Sequence, residues 1–231
     1  MTTMITNTSY VLPDPNDPES IETHKRGVLS EFGLVFSLIE QALQDSIPKA
    51  TNVFSLLEGP VEPSVHAGLT RYLCKRFLAS EQISSEDEYL SDLEVEQVAN
   101  CGLCINRGQS QIRILKSTIT GIPKATSDAR RRFYSSNQYL LPFDRPNLKG
   151  EQPQTPLSLV VLWTLGNEYL FKEMEIACPR REREDGTVDC YWIASWRGNE
   201  GTVGVGRLEP VAADSDLDEI KPIEERKKAT S

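Results

Sequence analysis

The chain has 231 residues, 39% of them hydrophobic and 26% charged, with a net charge of −9. That length and composition can bury a sizeable core, in one large domain or two small ones, and exclude a chain disordered throughout. The negative balance argues against a surface that binds nucleic acid or anionic membrane as a whole. No run of eighteen apolar residues is present to cross a bilayer, and the first thirty residues lack a basic stretch followed by an apolar one, so a cytoplasmic location is expected.

Residues 1–20 hold Pro13, Pro15 and Pro18 among Thr, Asn and Asp, and read as an extended, flexible arm. Val28, Leu29, Phe32, Val35, Phe36, Ile39 and Leu43 recur at three- and four-residue spacing, which predicts a helix that Pro48 ends. Ser64, after Pro63, is a good N-cap for a second helix with Val65, Leu69, Tyr72, Leu73 and Phe77 on its apolar face. A third helix is predicted over Glu86–Val98. Its acidic first turn suits the helix dipole, and the like charges that follow oppose it. Gln111–Lys116 then reads as a strand and Ser127–Ser135 as a short helix. Leu141–Pro156, with four prolines, reads as a rigid connector.

Three strands follow, Leu157–Leu165, Tyr169–Cys178 and Val188–Trp196, the last two joined by the charged turn Arg180–Gly186. The predicted fold class is α+β, with N-terminal helices packed on a mainly antiparallel sheet formed by the C-terminal half. A single domain is expected over 21–208, helical from 21 to 100 and β-rich from 105 to 208. Residues 209–231 read as an acidic flexible tail.

Five cysteines, an odd number in a chain too long to need disulfide staples, point to free thiols. If the last hairpin pairs symmetrically about Glu184, Cys178 lies opposite Cys190 and Ile176 opposite Trp192. Cys101 and Cys104 form a C-x-x-C turn, a spacing that points two thiolates at one ion, so Cys101, Cys104, Cys178 and Cys190 form a candidate zinc set. The competing reading is four structural thiols packing as small apolar side chains, and the general behaviour of cysteine favours it. The same symmetric register puts Glu173, Glu175 and Asp189 on one sheet face. That is either an ordinary solvated face or, with magnesium, the carboxylate site of a metal-dependent hydrolase of nuclease type.

Neither histidine belongs to a metal motif, and His66 is expected at the surface or its boundary. There is no G-x-S-x-G elbow and no phosphate loop of the G-x-x-x-x-G-K-[ST] form. The main functional signal is charge. Residues 105–149 hold nine basic residues against Asp128 and Asp144, a net +7 (nine less two) in a chain of net −9. Arg113, Lys116, Arg130, Arg131, Arg132, Phe133 and Tyr134 are the candidate binding residues. Arginine forks suit phosphate or carboxylate, and exposed aromatics stack on bases. Residues 81–98, with seven acidic and no basic residues, offer an internal counterpart instead. The expected function is binding without catalysis, with a protein partner ranked before nucleic acid and no membrane.

Overall fold

The computed structural model describes residues 10–56, 62–84, 90, 92–98, 102–118, 121–137 and 157–197. Helix α1 (Pro18–Glu31) starts where Asp17 caps it, accepting the Glu19 N–H at 3.0 Å, with Pro18 in the first turn. Only Phe32 separates α1 from α2 (Gly33–Ser55). Before α1 the chain is already anchored, because Leu12 is buried in the core. The rest of the expected arm, residues 1–9, lies outside the described residues, as do the connector over 141–156 and the acidic tail.

Pro48 does not end the second helix. It lies inside α2, solvent-exposed, while Ile47 and Ala50 beside it are fully buried. A proline in a helix interior costs about 3 kcal/mol through its missing N–H and ring clash. The continuous apolar face of α2, from Val35 to Ala50, offsets that cost. Helix α3 (Pro63–Ser84) begins just before the predicted cap, so that Ser64 lies inside it and donates its hydroxyl to Glu62 at 2.6 Å, and its inward face is His66, Ala67, Thr70, Cys74 and Leu78. Val65 and Tyr72 stand about half-exposed. Small side chains face α2 and let the two helices pack closely, and the larger apolar residues flank that contact.

The sheet has six strands in sequence order: β1 (Glu94–Val98), β2 (Gly102–Arg107), β3 (Ser110–Lys116), β4 (Ser158–Leu165), β5 (Phe171–Glu182) and β6 (Val188–Trp196). All neighbours pair antiparallel except β3 with β4, which are parallel. The fold is therefore α+β, as predicted. The end of the expected third helix is instead β1, whose Glu96 pairs with Cys104. Strand β2, absent from the sequence reading, joins β3 through a two-residue turn in which Gly108 takes φ +55, as a type II′ hairpin turn needs.

The parallel β3–β4 pair requires a crossover, and that crossover carries helix α4 (Asp128–Ser135). The sheet is thus covered on both faces. On one, α1 lies against β6, α2 against β5, and α3 against β1 and β2. On the other, α4 packs on β5 over Val160, Leu162 and Ala177. Central strand β4, buried on both sides, reads as the unbroken apolar run that such a position demands.

The symmetric pairing of the last hairpin does not hold. Ile176 faces Ala194, Cys178 faces Trp192 and Cys190 faces Pro179. The register shifts on both sides of Pro179, which has no N–H to give to the ladder. The bulge puts Tyr191 and Trp192 together on the helix side and sends Cys190 and Val188 to the α4 side. Of the expected acidic face, Glu173 is exposed and Glu175 and Asp189 are half-buried, while Ala177 between them lies under α4.

Candidate functional site

Helix α4 exists because Ser127 caps it, accepting the Arg130 N–H, and because Phe133 and Tyr134 are buried against the sheet. Both aromatics are therefore part of the core. Tyr134 donates its hydroxyl to the Pro123 carbonyl at 2.9 Å, and burial pushes its pKa up to about 12. They offer no exposed platform for stacking bases. Asn137, just beyond the helix, is fully buried. Its amide donates to the carbonyls of Ser158 (2.6 Å) and Pro179 (2.8 Å), and its oxygen accepts the Ser158 N–H (2.8 Å). It is a structural tie, and it satisfies the bulge carbonyl.

The predicted basic residues divide. Lys116 lies on the helix side of the sheet, 5.9 Å above the Trp163 ring, and burial lowers its pKa. Arg131 is engaged by Asp128 (3.4 Å) and Glu182 (3.6 Å). Arg113 stands between two cavities, with Arg130 lining one and Arg132 the other. None of the three has an ion pair among the described residues, and Glu86, Asp87 and Glu88 of the expected acidic counterpart lie outside those residues.

Arg113 is the centre of this group. Its guanidinium lies 4.3 Å from the centre of the Phe133 ring, a cation–π contact, and its buried Nε has no hydrogen-bond partner among the described residues. Cross-strand pairing places it beside Cys104, and beyond Cys104 lies Glu96, two strands away. Burial holds the Arg113 pKa below its ordinary value, and the like charge of Arg130 pushes it the same way. Burial also pushes Cys104 up to about 11, so Cys104 and Tyr134 are both neutral near pH 7 and neither balances the charge.

Two cavities flank Arg113. One of about 100 Å³ is bounded by Arg71, Leu103, Arg113, Ser127 and Arg130. The other, an open groove of about 420 Å³, runs past Asn106, Gln109, Gln111, Arg113, Arg132 and Ser136.

The candidate metal residues are not brought together. Cys104 is on β2 and Cys178 on β5, three strand spacings or about 14 Å across the sheet. Cys190 faces the opposite side from Cys178, and Cys101 lies outside the described residues. Burial raises the pKa of Cys178, and it raises that of Cys190 to about 12. Asp189 pairs with Arg181 (3.0 Å) and Arg183 (2.5 Å), which hold its carboxyl below the usual range. Its partner position, Arg181, is six residues, about 20 Å, along β5 from Glu175. Among the described residues no group of three His, Cys, Asp or Glu side chains is placed to hold a metal.

His66 is not at the surface: it is 1% exposed, with Nε2 3.1 Å from the Thr51 hydroxyl and its ring between Phe54 and Tyr169. The small side chains of the α2–α3 contact draw it inward. His24 accepts the Trp192 indole N–H at 3.0 Å.

Sequence reading missed Arg71 and the polar wall formed by Asn106, Gln109 and Gln111. It placed Arg113 and Lys116 in one patch, although three residues apart on a strand they face opposite sides. No protein-family model, curated protein or solved structure matches this chain.

Proposed function

We propose that this protein acts by binding, without catalysis of its own, and that it engages an acidic segment of a protein partner through the groove between α4 and strands β2 and β3. The supporting observation is that Arg113, with Arg130 on one side and Arg132 on the other, has no carboxylate paired to it or to them among the described residues. Unbalanced cations in a partly dry groove gain more from an arriving anion than solvated ones do. A protein partner is favoured over nucleic acid on two grounds. The net charge of −9 repels a long polyanion, and the aromatics beside the arginines are buried.

The test is fluorescence anisotropy with a labelled Asp/Glu-rich peptide on the full chain. Arg130→Gln with Arg132→Gln is expected to weaken binding about tenfold, with unchanged thermal unfolding, and added salt is expected to weaken binding to the native protein. Equal binding by native protein and double variant would overturn the proposal. Preference for a single-stranded oligonucleotide over the peptide would replace the protein partner with nucleic acid.

A further inference from the structure

We propose that the small cavity between the first turn of α4 and strands β2 and β3 is a seat for one phosphate group, so that the partner segment is taken in phosphorylated form. This rests on the acidic-partner reading and specifies the ligand of the same groove. The cavity is lined by Arg113 from β3, Arg130 from α4, its cap Ser127 and Arg71 from α3, and the rest of its wall is apolar, with Val98, Leu103 and Leu115. Its volume of about 100 Å³ far exceeds the roughly 10–15 Å³ that one water needs, and so admits a compact polyatomic anion.

Both central guanidiniums are held before any ligand arrives. Arg113 is fixed on the Phe133 ring at 4.3 Å, and Arg130 is tethered by a 3.0 Å hydrogen bond from its NH1 to the Lys124 carbonyl. Two like charges so fixed repel each other, and an anion between them removes that cost while finding donors already in place. The one carboxylate in the first turn of α4, Asp128, is outside the cavity lining and is engaged by Arg131.

A carboxylate has two oxygens and can satisfy one fork. A phosphate monoester has three acceptor oxygens and a charge of about −1.5 to −2, and can accept from two forks at once. The Nε of Arg113, which has no partner among the described residues, is one of the donors it would use. The residues flanking the phosphate have room in the adjoining groove, where Gln109, Gln111 and Arg132 offer polar contacts. A nucleic acid needs a row of phosphate sites and stacking faces, whereas here one small cavity adjoins a polar groove.

Two measurements on the full chain test this. The first is thermal unfolding in inorganic phosphate against acetate at matched ionic strength. A saturable phosphate-specific rise in Tm is expected in the native protein and in Arg132→Gln. It is expected to be lost in Arg130→Gln and in Arg113→Lys, which keeps the charge without the fork. The general effect of phosphate on protein hydration remains in every variant and sets the baseline. The second compares a phosphoserine peptide with the same peptide carrying glutamate at that position, and about tenfold tighter binding of the phosphopeptide is expected, lost with Arg130→Gln.

A Tm rise equal in all four proteins would overturn the phosphate seat. So would equal binding of the two peptides, in which case the acidic-partner reading stands. A specific Tm rise with neither peptide bound would overturn the acidic-partner reading and the phosphoprotein assignment together. An oligonucleotide that displaces the phosphopeptide at lower concentration than inorganic phosphate does would overturn the phosphoprotein assignment.

Discussion

Single side chains here do opposite work depending on what surrounds them. His24 and Asn137 are both polar and both inward, but Asn137 is tied on both amide atoms, whereas the buried Nε2 of His24 has no partner among the described residues. The half-buried His24 ring accepts the Trp192 N–H on Nδ1, and burial lowers its pKa from 6.5 to about 4. The unfolded chain therefore takes up a proton on this ring before the folded one does. Stability is complete above pH 6.5 and falls as pH drops from 6.5 toward about 4, where the folded state protonates as well. The expected loss is about 1–2 kcal/mol after allowance for solvent screening of a partly exposed ring. Burial and, to a lesser degree, Lys116 lower His66 too, which acts in the same direction. Urea unfolding on either side of this window checks the effect, and His24→Gln is expected to reduce it. For Asn137, substitution by alanine leaves the buried Ser158 N–H and the Pro179 carbonyl without that partner. A cost of about 3 kcal/mol is expected in urea unfolding, against about 1 kcal/mol for Ser158→Ala, which loses the Ser136 hydroxyl contact but keeps the backbone bonds.

At the level of elements, proline has two different outcomes. In α2, Pro48 is carried by the apolar face around it, and its own position is exposed. Pro48→Ala is therefore expected to restore a backbone hydrogen bond and raise stability by about 1–3 kcal/mol, read as a higher urea midpoint. A lower midpoint would show that the proline bend is required for seating Ile47 and Ala50. In β5, Pro179 breaks the ladder, and the bulge moves Cys190 across the sheet. Local pattern made several elements legible. The helical period from Val28 to Leu43, the short helix over Ser127–Ser135 and the apolar runs at Leu157 and Val188 each sit in elements of the expected type. What escaped was non-local. The segment Glu94–Val98 became a strand through its pairing with β2, and α3 turned its small-residue face inward because α2 was there to meet it. Of the candidate site, Arg113, Arg130 and Arg132 were legible as charge. Lys116, Phe133 and Tyr134 were misplaced because facing and burial depend on the sheet and on the helix laid across it.

The whole molecule is organised by one sheet with a core on each face. Trp163, Trp192 and Trp196 all belong to the helix-facing core, where α1, α2 and α3 supply the other half of the contacts. Loss of the helices therefore exposes the same surface that loss of the sheet does. Helical circular dichroism and tryptophan fluorescence are expected to report one coincident urea transition, and two separated midpoints would show that the helical and β-rich parts fold independently. The sequence by itself determined the α+β class, the abundance of strands after residue 100 and the concentration of positive charge between 105 and 149, because each follows from local periodicity or from counting. Only the tertiary structure decided which of those charges are paired among the described residues. Arg131 found Asp128 and Glu182, Lys116 went to the far face, and Arg113, Arg130 and Arg132 were left facing two cavities. The physical reason is that neutralisation, burial and strand facing are properties of pairs of residues far apart in the chain, set when the crossover brings α4 onto the sheet.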